Sequence, residues 1–256
     1  MPYCAVNGID LYYESHGAGN PLVFIHGSGG NHASWYRQLP VFSKSHRCIT
    51  FDQRGFGNTE DKDGRGRSAM VDDLAGLLDQ LEIGRAVVVA QSLGGGAGIG
   101  FACRHPERVA GLVMCDTLVG IRLPRELAAI MSETNKRTAG LSQVERVLGP
   151  LTRERSPEMA LLYTQLASFN NYRVGTIPGE FQPVDLAEIG DAGVPLLFVL
   201  GTDDILFPPD CIRRVHALLP GSELLEIPEV GHSAYFEDAP TFNRHLGAFL
   251  ARLKFG

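Results

Sequence analysis

The sequence predicts an α/β protein with a mostly parallel, doubly wound sheet, an antiparallel N-terminal hairpin and an inserted helical cap. Three observations predict this fold class. Short apolar runs alternate with helix-like stretches along most of the chain, as in proteins whose helices cover both faces of a parallel sheet. The first two strand-like segments are joined by a tight turn. One long stretch further on has helical patterns only.

The predicted sheet begins with the hairpin. Residues 3–6 and 9–14 flank Asn7-Gly8, a dipeptide typical of two-residue turns between antiparallel strands. The later strands are apolar runs rich in Val, Ile, Leu and Phe, which indicates burial on both faces. They occupy residues 22–25, 86–90, 112–115 and 196–200.

Helices are predicted between these runs. The clearest covers residues 68–81, where apolar side chains recur at helical spacing. Others cover residues 93–104, 209–219 and 240–253, and the last two have Pro in the first turn, where it is well tolerated. An alternation of strand and helix implies right-handed crossovers with helices on both faces of the sheet.

From about residue 118 to residue 185 the sequence has helical patterns but no strand. These helices either extend the core or form a cap that is inserted between two strands and covers a pocket. We favour the cap because chemically suggestive residues lie on both sides of the stretch. The predicted core then comprises residues 1–117 and 186–256, and the cap comprises residues 118–185. Its apolar stripes are Leu127, Ile130 and Met131, and Met159, Leu162, Tyr163, Leu166 and Phe169.

The composition is that of an ordinary globular chain and excludes several classes of function. The 256 residues are 44% hydrophobic and 20% charged, and the net charge of -6 is spread without a basic stripe, so nucleic acid is not an expected partner. No apolar stretch reaches the length of a membrane span. The five cysteines lack metal-binding spacing, and the N-terminus does not resemble a signal peptide. We therefore expect a cytoplasmic protein.

A serine lies two residues after the second apolar run. The segment Gln91-Ser92-Leu93-Gly94-Gly95 sits between a predicted strand and a predicted helix, which is the arrangement of a nucleophile elbow. A serine in such a turn needs small neighbours, and Gly94 lets the backbone pass closely. The alternative is a glycine-rich turn whose serine has no chemical role.

A glycine-rich loop follows the first apolar run as His26-Gly27-Ser28-Gly29-Gly30. Acyl transfer needs N–H donors aimed at the oxyanion that develops in the transition state. The backbone N–H groups of Ser28 and Leu93 are the predicted oxyanion hole, and the helix that begins near Leu93 adds its dipole. We interpret His26 as a structural histidine of the loop.

A carboxylate and a histidine follow the last two strands. Asp203 and Asp204 come after the run 196–200, and His232 comes after residues 223–227. Together with Ser92 they give the order serine, aspartate, histidine, which is typical of one class of hydrolase. In such a site the histidine takes the serine proton, and the carboxylate orients the imidazole and stabilises its charge.

These motifs resemble those of the α/β-hydrolase superfamily over essentially the whole chain. The resemblance favours Asp204 over Asp203 as the triad acid, with Asp116 as a further alternative after an earlier strand. It also implies a structural role for Arg54. The matching segments are His26-Gly27-Ser28-Gly29, residues 52–57, residues 90–95, residues 201–208 and Gly231-His232.

Within the superfamily the chain is similar to bacterial carboxylesterases, enol-lactone hydrolases and carbon–carbon bond hydrolases. The resemblance implies hydrolysis of a small-molecule carboxylic ester or lactone by Ser92, His232 and Asp204, without a metal or an organic cofactor. Candidates to line the pocket are Trp35, Tyr163, Phe169 and Tyr172.

Two other functions remain open. A carbon–carbon bond hydrolase of a dienoic or diketone acid would use the same triad and a basic residue for the substrate carboxylate. Arg122, Arg137 and Arg173 are candidates for that residue. A ligand-binding signalling protein could also use this fold with little or no turnover.

Overall fold

The computed structural model describes residues 2–173 and 175–255, and within them eight strands form one mixed sheet. Met1, Val174 and Gly256, which the predicted domain ranges include, lie outside the described residues. The strands are β1 (Tyr3–Val6), β2 (Ile9–His16), β3 (Asn20–Ile25), β4 (His46–Phe51), β5 (Ala86–Gln91), β6 (Val109–Cys115), β7 (Leu196–Gly201) and β8 (Glu223–Ile227).

The strand order is β1-β2-β4-β3-β5-β6-β7-β8. β1 and β2 pair antiparallel, as do β2 and β4, and every later pair is parallel. The hairpin turn places Asn7 and Gly8 at φ values of 46° and 82°. Such positive values suit the two-residue turn that matches strand twist. The predicted fold class is confirmed.

Eleven α-helices occur within the described part of the chain. The four helices predicted for the core are present, and each begins and ends within two residues of its predicted bounds. The helices are α1 (Leu39–Phe42), α2 (Met70–Gln80), α3 (Gly94–Arg104), α4 (Arg125–Thr138), α5 (Gln143–Val147), α6 (Pro150–Arg155), α7 (Pro157–Ser168), α8 (Leu186–Ala192), α9 (Pro209–Ala217), α10 (Ala234–Glu237) and α11 (Ala239–Arg252).

The central strands bury side chains on both faces of the sheet. In β3, Val23 and Ile25 pack in one hydrophobic cluster with α2 and α3, whereas Leu22 and Phe24 pack in a second cluster with α11. Because neither face meets water, the buried runs 22–25 and 86–90 of these strands are apolar at every position rather than at alternate ones. The sheet is covered on both faces, and its carboxyl edge can position the loops that follow the strands.

Residues 118–185 leave the sheet after β6 and return before β7. Their described part contains α4 to α7 and no strand except an isolated bridge between Ile121 and Val184. The Val184 amide donates to the Gly120 carbonyl at 2.8 Å, and the Arg122 amide donates to the Val184 carbonyl at 2.8 Å. The segment therefore leaves and re-enters the fold at neighbouring points.

None of the helices formed by residues 2–173 and 175–255 is both long and apolar enough to cross a membrane.

Candidate active site

Loops at the carboxyl ends of three parallel strands bring Ser92, His232 and Asp204 together. The Ser92 Oγ lies 2.8 Å from His232 Nε2, and His232 Nδ1 lies 2.9 Å from Asp204 Oδ2. All three residues are buried, with 9% or less of their surface exposed. A neutral imidazole protonated at Nδ1 would donate to Asp204 and accept the Ser92 proton. The geometry therefore allows serine activation.

Ser92 occupies a strained backbone position between β5 and α3. Its φ is 48°, in a region of backbone conformation that residues other than glycine seldom adopt. The Ser92 amide donates to the Cys115 carbonyl at 3.0 Å, and the Thr117 hydroxyl donates to the Ser92 carbonyl at 2.7 Å. A Cβ atom at Gly94 would lie only 2.8 Å from the His26 carbonyl oxygen. The turn is thus held from both sides and requires a small residue at position 94.

Asp204 is oriented by backbone donors as well as by the histidine. The Leu206 and Phe207 amides donate to its Oδ1 at 2.7 and 3.1 Å, which leaves Oδ2 for His232. The Phe207 ring stacks on the imidazole with centroids 5.5 Å apart. Asp203 is exposed and contacts the Thr202 hydroxyl at 3.4 Å instead. Of the two neighbouring aspartates, the structure places Asp204 at the histidine.

Asp116, the third acid considered, lies after β6 and is fully buried. Its carboxylate accepts the Gly201 amide at 2.8 Å and the Ala234 amide at 3.1 Å, and it makes no hydrogen bond to His232. Burial, followed by the charge of Asp204, raises the pKa of Asp116 well above its usual range. Its contacts connect the loops that carry Asp204 and His232.

Two further polar side chains hold the histidine loop. Gln91 donates to the His232 carbonyl at 2.9 Å. Glu237 accepts the Gly231 amide at 2.9 Å and the Gly149 amide, which lies between α5 and α6, at 2.8 Å. Burial raises the pKa of the Glu237 carboxyl. Nothing in the sequence indicated Glu237, because its role depends on a contact with a segment 88 residues away.

The predicted oxyanion donors lie beside the serine. Ser28 and Leu93 both line the cavity over Ser92, and neither backbone amide has a hydrogen-bond acceptor among the described residues. His26 is fully buried, with Nδ1 2.7 Å from the Gly27 carbonyl and Nε2 accepting the Gln53 amide at 3.0 Å. Both ring nitrogens form hydrogen bonds to backbone groups, one in the loop and one at Gln53, in agreement with a structural histidine.

The cavity over Ser92 has a volume of about 270 Å³. Tyr163, a predicted pocket residue, lines it and is buried. Side chains from the sheet loops and from the segment 118–185 share the wall. The lining residues are Ser28, Gly29, Arg67, Gln91, Ser92, Leu93, Val119, Asn135, Gln143, Arg146, Val147, Tyr163, Ile177, Leu206, Phe207 and His232.

Two pocket predictions are corrected by the structure. Trp35 does not line this cavity: it is fully buried in the core, with its ring 4.9 Å from Phe24 and 4.2 Å from Tyr235. Phe169 is 67% exposed and borders a separate surface cavity. A large aromatic side chain near an active-site loop gains most by packing in the core, and only the folded chain shows where that is.

The basic residues of the cavity are not those considered from the sequence. Arg122 forms a surface ion pair with Asp185 at 2.7 Å, and Arg137 is exposed outside the lining. Arg173 borders a neighbouring cavity of about 170 Å³. Arg67 and Arg146 line the main cavity instead. The capping pattern Ser142-x-x-Glu145 could have located α5, but not the face that Arg146 occupies.

Within residues 2–173 and 175–255, no group of three or more His, Cys, Asp or Glu side chains is placed to hold a metal ion.

Comparisons with known proteins agree with the observed architecture. Residues 20–144 match the family model of the alpha/beta hydrolase fold. The 2-hydroxy-6-oxo-2,4-heptadienoate hydrolase of Pseudomonas putida is 31% identical over 268 residues, which cover 95% of this chain and 94% of that enzyme. A Mycobacterium tuberculosis protein provisionally named as the non-heme bromoperoxidase BpoC is 30% identical, over 96% of this chain and 99% of the relative.

Among solved structures, the enol-lactonase from Burkholderia xenovorans LB400 superposes with a TM-score of 0.80 at 25% identity, over 98% of this chain and 100% of that structure. The family match, the relatives aligned over almost their full length and the strand order lead to one assignment. The chain belongs to the α/β-hydrolase superfamily.

Proposed function

We propose that the protein hydrolyses a small carboxylic ester or lactone through an acyl-enzyme on Ser92. The observation that carries this proposal is the hydrogen-bonded chain from Ser92 through His232 to Asp204 at the base of a cavity. The amides of Ser28 and Leu93 support it, because both residues line the cavity that contains Ser92 and neither amide has an acceptor among the described residues, so both are available to an oxyanion.

The mechanism has two stages. In the first, His232 takes the Ser92 proton as Oγ attacks the substrate carbonyl, and the Ser28 and Leu93 amides stabilise the tetrahedral oxyanion. The imidazolium then gives its proton to the leaving alcohol. In the second stage, His232 activates a water that attacks the acyl-enzyme, which releases the acid and restores Ser92. Asp204 keeps the imidazole oriented and stabilises its charge throughout.

The same proposal includes a cap formed by residues 118–185. Two features support it: the segment leaves and re-enters the fold beside the Ile121–Val184 bridge, and it contributes Tyr163, Gln143 and Arg146 to the cavity wall. A cap in this position would exclude water from the acyl-enzyme site and select the substrate by shape.

A series of p-nitrophenyl esters of increasing acyl length tests the ester activity. We expect wild-type turnover, with a preference for acyl chains that fit about 270 Å³. Ser92→Ala should lower kcat by roughly four to six orders of magnitude. A folded Ser92→Ala variant that keeps its activity would overturn the serine mechanism.

Carbon–carbon bond hydrolysis is the second candidate. The 31% identical Pseudomonas putida relative, whose name gives it a heptadienoate substrate, favours it. A 2-hydroxy-6-oxo-dienoic acid distinguishes the two: rapid loss of its absorbance together with slow ester turnover would favour carbon–carbon cleavage. Rapid ester turnover without dienoate cleavage would favour the esterase or lactonase.

A further inference from the structure

The cavity over Ser92 is lined by basic side chains although the whole protein is acidic. The chain has a net charge of -6, yet the described residues that line the cavity include Arg67 and Arg146 and no Asp or Glu. A neighbouring cavity shares Ser28, Gln143 and Arg146 with the first and adds Arg173, again without a carboxylate among its described lining residues. Apart from His232, the charged side chains of the lining that could bind a charged substrate group are therefore basic, whereas the Asp204 carboxylate lies behind His232.

Arg146 differs from Arg67 in its contacts. The Arg67 guanidinium donates to the Ile177 and Gly179 carbonyls at 2.7 and 3.1 Å, so it is tied to the backbone of the adjoining segment. The Arg146 guanidinium forms neither a hydrogen bond nor an ion pair with the described residues, and its Nε is buried without an acceptor. A buried N–H donor of a charged group is costly to leave unpaired. A ligand with an anionic oxygen would satisfy it.

Gln143 lies on the same side of α5 as Arg146. The two are three residues apart, a spacing that places side chains on one helical face, and both line the two cavities. An amide next to a guanidinium supplies further N–H donors without a negative charge. Of the two arginines that line the main cavity, only Arg146 has an unpaired guanidinium. The best-matched partner is therefore a singly charged, planar carboxylate, which a guanidinium can bind through two parallel hydrogen bonds.

We propose that the substrate of Ser92 carries a carboxylate group, and that Arg146, with Gln143 beside it, binds this group. The inference rests on the proposed hydrolytic function of the site and defines its substrate class. It applies to an ester or lactone as well as to a carbon–carbon bond, because the acid group is bound away from the bond that breaks.

Two esters with the same acyl chain length test the inference. One is p-nitrophenyl hexanoate, and the other is mono-p-nitrophenyl adipate, in which a carboxylate replaces the terminal methyl group. We expect the wild type to favour the adipate ester in kcat/KM, and Arg146→Gln to reduce this preference by about ten- to a hundredfold, mainly through KM, as for other hydrogen bonds to charged groups.

Arg122→Gln is the matched control, because it removes the same charge from a surface ion pair with Asp185. It should keep the wild-type preference. Equal kcat/KM for both esters in the wild type, or an unchanged preference in Arg146→Gln, would overturn the inference. Loss of preference in both variants would also contradict it, since only general electrostatics would then be involved.

A binding measurement separates this inference from the hydrolytic proposal. Mono-p-nitrophenyl adipate is titrated calorimetrically into Ser92→Ala and into Ser92→Ala/Arg146→Gln. We expect saturable binding to the first and about tenfold weaker binding or more to the second. Equal affinities would overturn the role of Arg146. If the wild type hydrolyses neither ester, the hydrolytic proposal fails for esters, while this titration still decides whether the acid group is bound.

Discussion

At the scale of single residues, the candidate site depends on backbone positions that most side chains avoid. Ser92 and Asp116 have φ values of 48° and 50°, and they follow the neighbouring strands β5 and β6. Such strain is maintained only where the surroundings fix it, here through hydrogen bonds to Cys115, Thr117 and Gly201. The strain directs the Ser92 hydroxyl towards His232 rather than into the sheet.

The first prediction concerns the two neighbouring aspartates. Asp204→Asn should lower kcat by about ten thousandfold, because an amide cannot hold the imidazole in the tautomer that accepts the serine proton. Asp203→Asn should leave kcat nearly unchanged, since Asp203 is exposed and its side chain hydrogen-bonds only to Thr202 among the described residues. Steady-state kinetics on one ester give both values. The reverse order of effects would reassign the acid.

The second prediction concerns His32, which follows the glycine-rich loop of residues 26–30. Burial lowers its pKa, but the hydrogen bond to Asp52 at 2.8 Å and the charges of Asp52 and Glu14 outweigh burial, so the pKa is raised. The protonated His32 therefore stabilises the folded state through its interaction with Asp52. Because the pKa of His32 is higher in the folded than in the unfolded chain, this stabilisation is complete below the unfolded pKa, about 6.5, and is lost as pH rises through the folded pKa.

Urea unfolding of the wild type and His32→Gln at pH 5.5 and pH 8.5 measures this stabilisation. The wild type should be more stable than the variant at pH 5.5 by up to about 1 kcal/mol, and the difference should shrink at pH 8.5. Asp52 has a lowered pKa and stays charged over this range. A difference that is constant or grows with pH would contradict the assignment.

The residue scale also shows what sequence patterns can predict. The sequence was sufficient to predict that Ser92, Asp204 and His232 meet, because each follows a strand whose carboxyl end lies at the same edge of the sheet. The position of Trp35 could not be predicted from the sequence. Its burial depends on Phe24 and Tyr235, which are far apart in sequence and meet only in the folded core.

At the scale of elements, one buried carboxylate connects the histidine loop with the helical segment. Glu237 at the end of α10 accepts the amides of Gly231, next to His232, and of Gly149, two residues after α5 ends. The backbones of Gly149 and Gly231 pack directly on each other: a Cβ atom at Gly149 would lie 2.9 Å from the Gly231 amide nitrogen. Glu237 thus fixes α5, with its cavity residues, relative to His232.

The third prediction tests this connection. In Glu237→Gln one acceptor oxygen becomes an N–H donor, so one of the two backbone bonds is lost. We expect kcat/KM to fall by roughly ten- to a hundredfold, with a lower kcat from the displaced His232 and a higher KM from the displaced α5. Steady-state kinetics at a temperature well below unfolding measure both parameters.

Asp238→Ala is the control for stability. Asp238 caps α11 through the Thr241 amide at 3.1 Å, and its loss should cost about 1 kcal/mol without altering kcat or KM. If both variants lose stability and neither loses activity, Glu237 is structural only. If Glu237→Gln and Asp238→Ala both lose activity in proportion to their loss of stability, the effect is a general one, and a specific connection between Glu237 and His232 is contradicted.

At the scale of the whole molecule, the strands were predictable and the wall of the cavity was not. Residues 22–25 and 86–90 are apolar throughout because helices cover both faces of the sheet. Such a run predicts a buried strand whichever neighbours its side chains contact. Arg146 and Gln143 lie in a short helix whose orientation is set by contacts with α7 and Glu237. A pattern confined to five residues cannot specify which face meets the cavity.

Covalent labelling of the nucleophile tests the proposed function most directly. The protein is incubated with an alkyl p-nitrophenyl phosphonate, which a serine activated by histidine attacks to give a stable adduct, and the site is located by peptide mass spectrometry. We predict one adduct, on Ser92, that is absent from Ser92→Ala and forms far more slowly in His232→Gln. No adduct in the wild type, or an adduct on another residue, would contradict Ser92 as the nucleophile.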